Sequence, residues 1–266
     1  MTLTLPPELV DKVIDFIDER QSLVACSLVA RNWMCFSRLR LFRSVNLTSK
    51  TFPVFRGLVH HAHSTVRDAV EQIRITGPGM SDSAKGDGWS KWVSDGFAEL
   101  APLLPRFSRL RLSYLKFALL TEPDIPKLSS QLVPLTQLKL HGIVFASFMQ
   151  VSNLILAFPT LEDLSLHNST WKEPLYGRVS TLPIRLQHLS LGRCYERDVV
   201  DWLLSQDPIP LIPRLNFENI GPTDAPAIGQ YLRVLGPSLT DLVIGFFSLD
   251  AGGDAGTYLF AFVTPH

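Results

Sequence analysis

The sequence predicts an α/β chain: a unit of three short helices in residues 1–41, then a strand-and-return unit repeated through residues 42–266 to build a curved parallel sheet. Three observations predict it. Apolar positions in the first forty residues recur at helical spacing, a strand-like apolar triplet recurs at a near-constant interval afterwards, and amphipathic segments fall between its copies.

Taken in order, Pro6 and Pro7 suit a helix start, where a missing N–H costs nothing, and Glu8 suits the positive end of the helix dipole. At 100° per residue Leu9, Val13, Phe16 and Ile17 form one stripe and Val10 and Ile14 a second beside it, an arc of roughly 160° where about 100° is usual. Ser22 reads as the N-cap of a second helix running on through Trp33 and Met34, and Ser37 as the cap of a short third one through Leu39 and Leu41. About 40 residues cannot cover so much apolar surface, so part of it is expected to face a partner or a following domain. The stripe assigned to that contact is Val10 and Ile14, for which the helix offers no internal partner.

These residues resemble the F-box family. The resemblance rests on Leu5-Pro6-x-Glu8-Leu9, on Val13, Ile14 and Ile17, then on Leu23, Leu28, Val29, Arg31 and Trp33, and on Leu41-Phe42 before a strand; no basic residue follows Trp33 directly. It implies a three-helix unit docking on a Skp-type adaptor, which joins a cullin-RING ubiquitin ligase. Carried onto this chain, the adaptor contact is Leu5, Pro6, Glu8, Leu9, Val10, Ile14, Ile17, Leu28 and Trp33. A small helical cap on the next domain is the alternative reading of the same residues.

From Phe42 the pattern apolar-x-x-apolar-x-apolar recurs, beginning at Phe42, Val70, Phe107, Leu135, Leu161, Leu186, Ile212 and Leu239, with steps of 28, 37, 28, 26, 25, 26 and 27 residues. This interval resembles leucine-rich repeats, in which each unit is a strand plus a returning segment and neighbouring units bury one another's apolar face. Strand alternation sends the fourth and sixth residue of each unit inward and the third, fifth and seventh outward. Returning segments are expected at 52–63, 89–104, 146–158, 197–205 and 227–235. After Leu115 and Trp171, prolines predict irregular connections. The ninth position, where many such repeats place Asn, holds Leu115, Ile143, Ser169, Cys194, Ile220 and Phe247. The 37-residue unit adds a polar loop, Gly77–Gly88. At the C-terminus, either Tyr258, Leu259, Phe260 and Phe262 cover the last strand or the chain is shortened from a longer one.

Composition narrows the function. Lys plus Arg and Asp plus Glu both total 25, so no global field draws the chain to nucleic acid or anionic membrane. Neither a basic leader with an apolar core nor an apolar run of about 18 residues is present, and a cytosolic or nuclear protein is expected. Cys26, Cys35 and Cys194 lie in apolar stretches and read as reduced core thiols. No phosphate loop, dinucleotide fingerprint or nucleophile elbow occurs. His60, His61 and His63 lack partners at metal-ligand spacing, so neither a metal nor a cofactor is expected. His141 and His167 share the seventh position of adjacent units, about 5 Å apart.

Outward strand positions are therefore the candidate binding surface. Arg74, Arg109, Arg111 and Lys139 make a basic column, joined by His141, on a face roughly 34 Å wide. Guanidinium groups there favour an acidic or phosphorylated protein segment, and no aromatic platform for nucleic acid accompanies them. The sequence thus reads as a non-catalytic substrate receptor for a ubiquitin ligase, with an unknown target protein. A scaffold of the same architecture outside any ligase is the alternative, and a hydrolase built on the His-bearing strands a third.

Overall fold

The computed structural model describes residues 5–77, 96, 99–117, 135–174, 185–246 and 260–263. It is a mixed α/β structure whose main sheet has eight parallel strands and one antiparallel strand at its end. Among the described residues no helix is long and apolar enough to cross a membrane.

The prolines open α1 (Pro7–Asp15), with Glu8 in its first turn. α2 covers Arg20–Val29 and α3 Arg31–Phe42, and the break between them corrects two expectations. Ala30 is extended, at φ −157° and ψ 162°, so Trp33 and Met34 belong to α3. Asn32 accepts a hydrogen bond from the Trp33 N–H at 3.0 Å, a local bond that competes with continuing the preceding helix. Ser37 therefore lies inside α3, fully buried, and caps nothing. Ser22 sits within the first turn of α2, its hydroxyl donating to Glu19 Oε2 at 2.7 Å.

The three helices close a small core of Val10, Ile14 and Leu23, with Ile17, Cys26, Trp33, Phe36 and Leu41 against it. Arg40 of α3 meets the end of α1: it pairs with Asp15 at 3.7 Å and Asp18 at 3.5 Å, and donates to the Asp15 carbonyl at 3.2 Å. Val10, Ile14 and Ile17 face inward together, since i, i+4 and i+7 share one face of a helix. The stripe expected to lack an internal partner is the internal one.

The main sheet runs in chain order, β1 (Ser44–Leu47), β2 (Gln72–Thr76), β3 (Arg109–Ser113), β4 (Gln137–His141), β6 (Asp163–His167), β8 (His188–Gly192), β9 (Arg214–Ile220) and β10 (Asp241–Phe246), before antiparallel β11 (Phe260–Val263). The register is the one the triplets predict. Val45, Ile73, Leu110, Leu138, Leu164, Leu189, Leu215 and Leu242 align from strand to strand, as do Leu47, Ile75, Leu112, Leu140, Leu166, Leu191, Phe217 and Ile244. Both rows join one continuous core with the apolar faces of α4 (Phe52–His60), α5 (Phe148–Leu156), α6 (Glu196–Leu204) and α7 (Ala225–Leu235).

Those four helices fall where returning segments are expected. Of 89–104 only the end is described, a helical Glu99–Leu100 and a tight turn at Ala101–Leu103. Two short strands absent from the expectation, β5 (Val144–Ser147) and β7 (Thr170–Glu173), pair in parallel on their own. The loop beyond Gly77, most of the two proline-bearing returns, and Tyr258 and Leu259 lie outside the described residues. All three cysteines are free, and Cys35 is exposed rather than in the core, because it lies about 100° around α3 from the inward Phe36.

Beyond β3, β4, β6 and β8 the backbone turns at the eighth residue of the unit, not at the ninth where many leucine-rich repeats place Asn. Tyr114, Gly142, Asn168 and Arg193 are all left-handed there, at φ 57°, 63°, 50° and 51°. Three of these residues first extend the ladder: Tyr114 N–H donates to His141 O at 2.8 Å, Gly142 N–H to His167 O at 2.9 Å and Asn168 N–H to Gly192 O at 2.9 Å. Asn accepts this conformation readily, whereas Tyr and Arg hold it at a cost.

Candidate functional site

The face opposite the helices carries the outward rows. Arg74, Arg111 and Lys139 are direct neighbours in one row across β2, β3 and β4, as predicted. Among the described residues neither Arg111 nor Lys139 pairs with a carboxylate, and Arg74 makes one long bond to Gln72 at 3.4 Å.

Arg109 differs from its expected role. It lies in the row of Gln72 and Gln137, and its Nη2 meets Glu71 Oε2 at 2.6 Å. The same oxygen takes Arg43 Nε at 2.9 Å, immediately after α3. Arg109 is thus committed to tying the helical unit to the sheet. A cleft of about 530 Å³ opens at this junction, with Arg20, Arg40, Arg43, Arg74 and Arg109 among its walls.

The seventh-position row holds a second cluster. His141 and His167 are paired across β4 and β6, as expected. The Tyr114 ring crosses above Gly142, where a Cβ would lie 2.7 Å from Cδ1, and its hydroxyl reaches His141 Nε2 at 3.3 Å. Burial, then the charges of Arg111 and of His167, hold His141 below the ordinary imidazole range and favour its neutral form. His167 lies 3.0 Å from Ser190 Oγ through Nε2 and 3.2 Å from Glu218 Oε2 through Nδ1. That second contact spans the strand between them. It exists because residue 192 is glycine: a Cβ there would stand 2.8 Å from both atoms.

Hydroxyl, imidazole and carboxylate in line are the parts of a nucleophilic relay, but acyl transfer needs the hydroxyl at the opening and the acid behind it. Here the order of exposure is reversed. Glu218 is the exposed member, its side chain 41% accessible, while Ser190 is 6% accessible and also accepts from Asn216 Nδ2 at 3.2 Å. The adjoining cleft of about 400 Å³ is lined by His141, His167, Asn168, Gly192, Arg193 and Glu218, without Ser190. The hydroxyl that acyl transfer would need is therefore not presented at the cleft.

Nearer the other end of the strands, Asp163 bridges Gln137 and His188 at 2.7 Å and 3.4 Å. Burial pushes its carboxyl up, but the hydrogen bonds from His188 and Gln137 outweigh burial and hold it below the usual carboxylate range. His60, with no metal-ligand partner in sequence, is paired with Glu99 at 2.9 Å. Among the described residues no three His, Cys, Asp or Glu side chains are grouped to hold a metal ion.

On the helical unit the sequence-assigned contact residues divide. Leu5, Pro6, Glu8, Leu9 and Leu28 are exposed, Leu28 to 82%. Val10 and Ile14 are buried and hold the unit together, so they do not meet a partner directly, while Ile17 and Trp33 are half-buried beside them. Phe16, 88% accessible, together with Val13, Val24 and Val29, supplies the exposed apolar surface in their place.

Glu218 is one of the outward strand positions the sequence offers as a binding surface, but its pairing with His167 is not among the sequence expectations. Its signal was positional, since it occupies the same seventh place as His141 and His167, with only glycine between. No protein-family profile matches the chain, and no curated protein sequence matches it either.

Proposed function

We propose that the chain is the substrate-recognition subunit of a Skp-cullin-F-box ubiquitin ligase. Residues 1–41 act as the F-box and residues 42–266 as a leucine-rich-repeat solenoid that holds a target protein for ubiquitin transfer by other subunits. The observation that carries this reading is the outward apolar surface of Leu9, Val13, Phe16, Leu28 and Val29 on helices that already own a separate core. Such a surface on so small a unit is stable in water when a partner covers it. The partner is a Skp-type adaptor, which places the work in the cytosol or nucleus. Target recognition belongs to the outward rows of the sheet, and the chain performs no chemistry of its own.

Support from the sheet is equally specific. Strands in chain order with one aligned apolar core leave a broad polar face opposite the helices, on which Arg74, Arg111 and Lys139 make no ion pair among the described residues, and such a face suits a folded or extended protein partner. The test is gel filtration with a purified Skp-type adaptor. The wild type is expected to co-elute with it, and the double variant Phe16→Glu, Leu28→Glu to elute alone with an unchanged melting curve. A wild type that elutes apart from the adaptor overturns the ligase reading and leaves an interaction scaffold.

A further inference from the structure

The face has two poles. Strands β2 to β4 present Arg74, Arg111 and Lys139, while at β9 the half-exposed acid Glu218 opens on the cleft beside His167, with Arg193 on the cleft's wall.

Glu218 retains bonding capacity. Its Oε2 lies 3.2 Å from His167 Nδ1, and His167 Nε2 lies 3.0 Å from Ser190 Oγ. Asn216 supplies one further, long bond at 3.5 Å. An ionised carboxylate has about four acceptor sites, which leaves two for an incoming donor.

Spacing turns the two poles into a ruler. From β3 to β9 there are four strand steps, about 19 Å at roughly 4.8 Å each, and the shift from the fifth to the seventh row adds about 7 Å along the strand. Arg111 and Glu218 are therefore about 20 Å apart, and Lys139 and Glu218 about 16 Å. An extended chain covers those distances in five or six residues at about 3.3 Å each.

Resting on the receptor reading, the geometry points to an extended target segment that crosses the strands with acidic residues on Arg111 and Lys139, flanked by Arg74, and a Lys or Arg, five or six residues away, on Glu218. An all-acidic segment meets repulsion at Glu218 and an all-basic one at the arginines, so the face discriminates by charge order as well as by charge.

Fluorescence anisotropy with the full chain tests this. One labelled peptide carries two Asp and one Lys separated by five Gly and Ser residues; a second has the same composition with the charges adjacent; both are made in either chain direction. The spaced peptide is expected to bind at least fivefold more tightly in one of its two directions. Glu218→Gln should reduce that preference, and Glu218→Lys should reverse it toward a spaced peptide with Asp at both ends. Equal affinity for spaced and adjacent peptides, absence of binding, or indifference to both Glu218 variants overturns the inference. Adaptor co-elution is read separately, so the ligase assignment stands or falls on its own result.

Discussion

His167 Nδ1 and Glu218 Oε2 meet at 3.2 Å across an intervening strand, over Gly192. A methyl group at 192 must push both side-chain ends aside and also stands 3.1 Å from Glu218 Cβ. Gly192→Ala is therefore expected to cost about 1 kcal/mol while separating the pair, seen as a shift of the His167 ring nitrogens by NMR. Gly77→Ala provides the contrast, because its Cβ would collide with the Tyr114 backbone oxygen. Overpacking against backbone should cost about 1–3 kcal/mol in a denaturant melt.

Glu196 sets an expected pH dependence. Its side chain is buried at the start of α6, and burial, with Asp224 nearby adding to it, raises its carboxyl to about 7 against the restraint of backbone N–H donors. The folded state thus holds this proton more tightly than the unfolded state. Its contribution is complete at acid pH and is lost as pH rises from about 4.5 to about 7, a decline of about 3 kcal/mol at most. Chemical denaturation of Glu196→Gln across that window should show a flatter profile; an unchanged slope would place the titration elsewhere.

The register has a direct test in two neighbouring residues of β6. Leu164 is fully buried and its truncation to Ala should cost about 2–5 kcal/mol, whereas Ser165→Ala, on the opposite face, should cost under about 0.5 kcal/mol. A reversed ranking would mean a one-residue slip.

In the helical unit, Ile14→Ala and Leu28→Ala should separate folding from docking. Ile14 is one of the three residues of the small core, and its loss should lower the stability of that unit by about 2–5 kcal/mol by hydrogen exchange. Leu28 is almost wholly exposed; its truncation should leave exchange unchanged and weaken adaptor binding instead.

The sheet was legible because its signal is local and repeated: two inward residues per strand, written eight times, leave one register that buries them all. The four described returning helices followed from the same logic. The helical unit was half legible. Two adjacent apolar stripes on α1 look alike in sequence, and the choice between them rests on packing against Leu23, Trp33, Phe36 and Leu41 of the next two helices, which no periodicity within α1 announces. The site divided in the same way. The row of Arg74, Arg111 and Lys139 follows from strand alternation, but the capture of Arg109 by Glu71 and the reach of Glu218 over Gly192 depend on side-chain direction.

Strand order that follows chain order has a consequence for damage. Each unit of the main sheet touches, through its strand, only the units before and after it in the chain, so a lesion in one is felt first by two neighbours and not by the whole molecule. Loss of structure then travels as a front from a weakened end, like a zip. Limited proteolysis should accordingly leave fragments that differ by steps of about one unit, with the charged poles of the outer face shed one at a time.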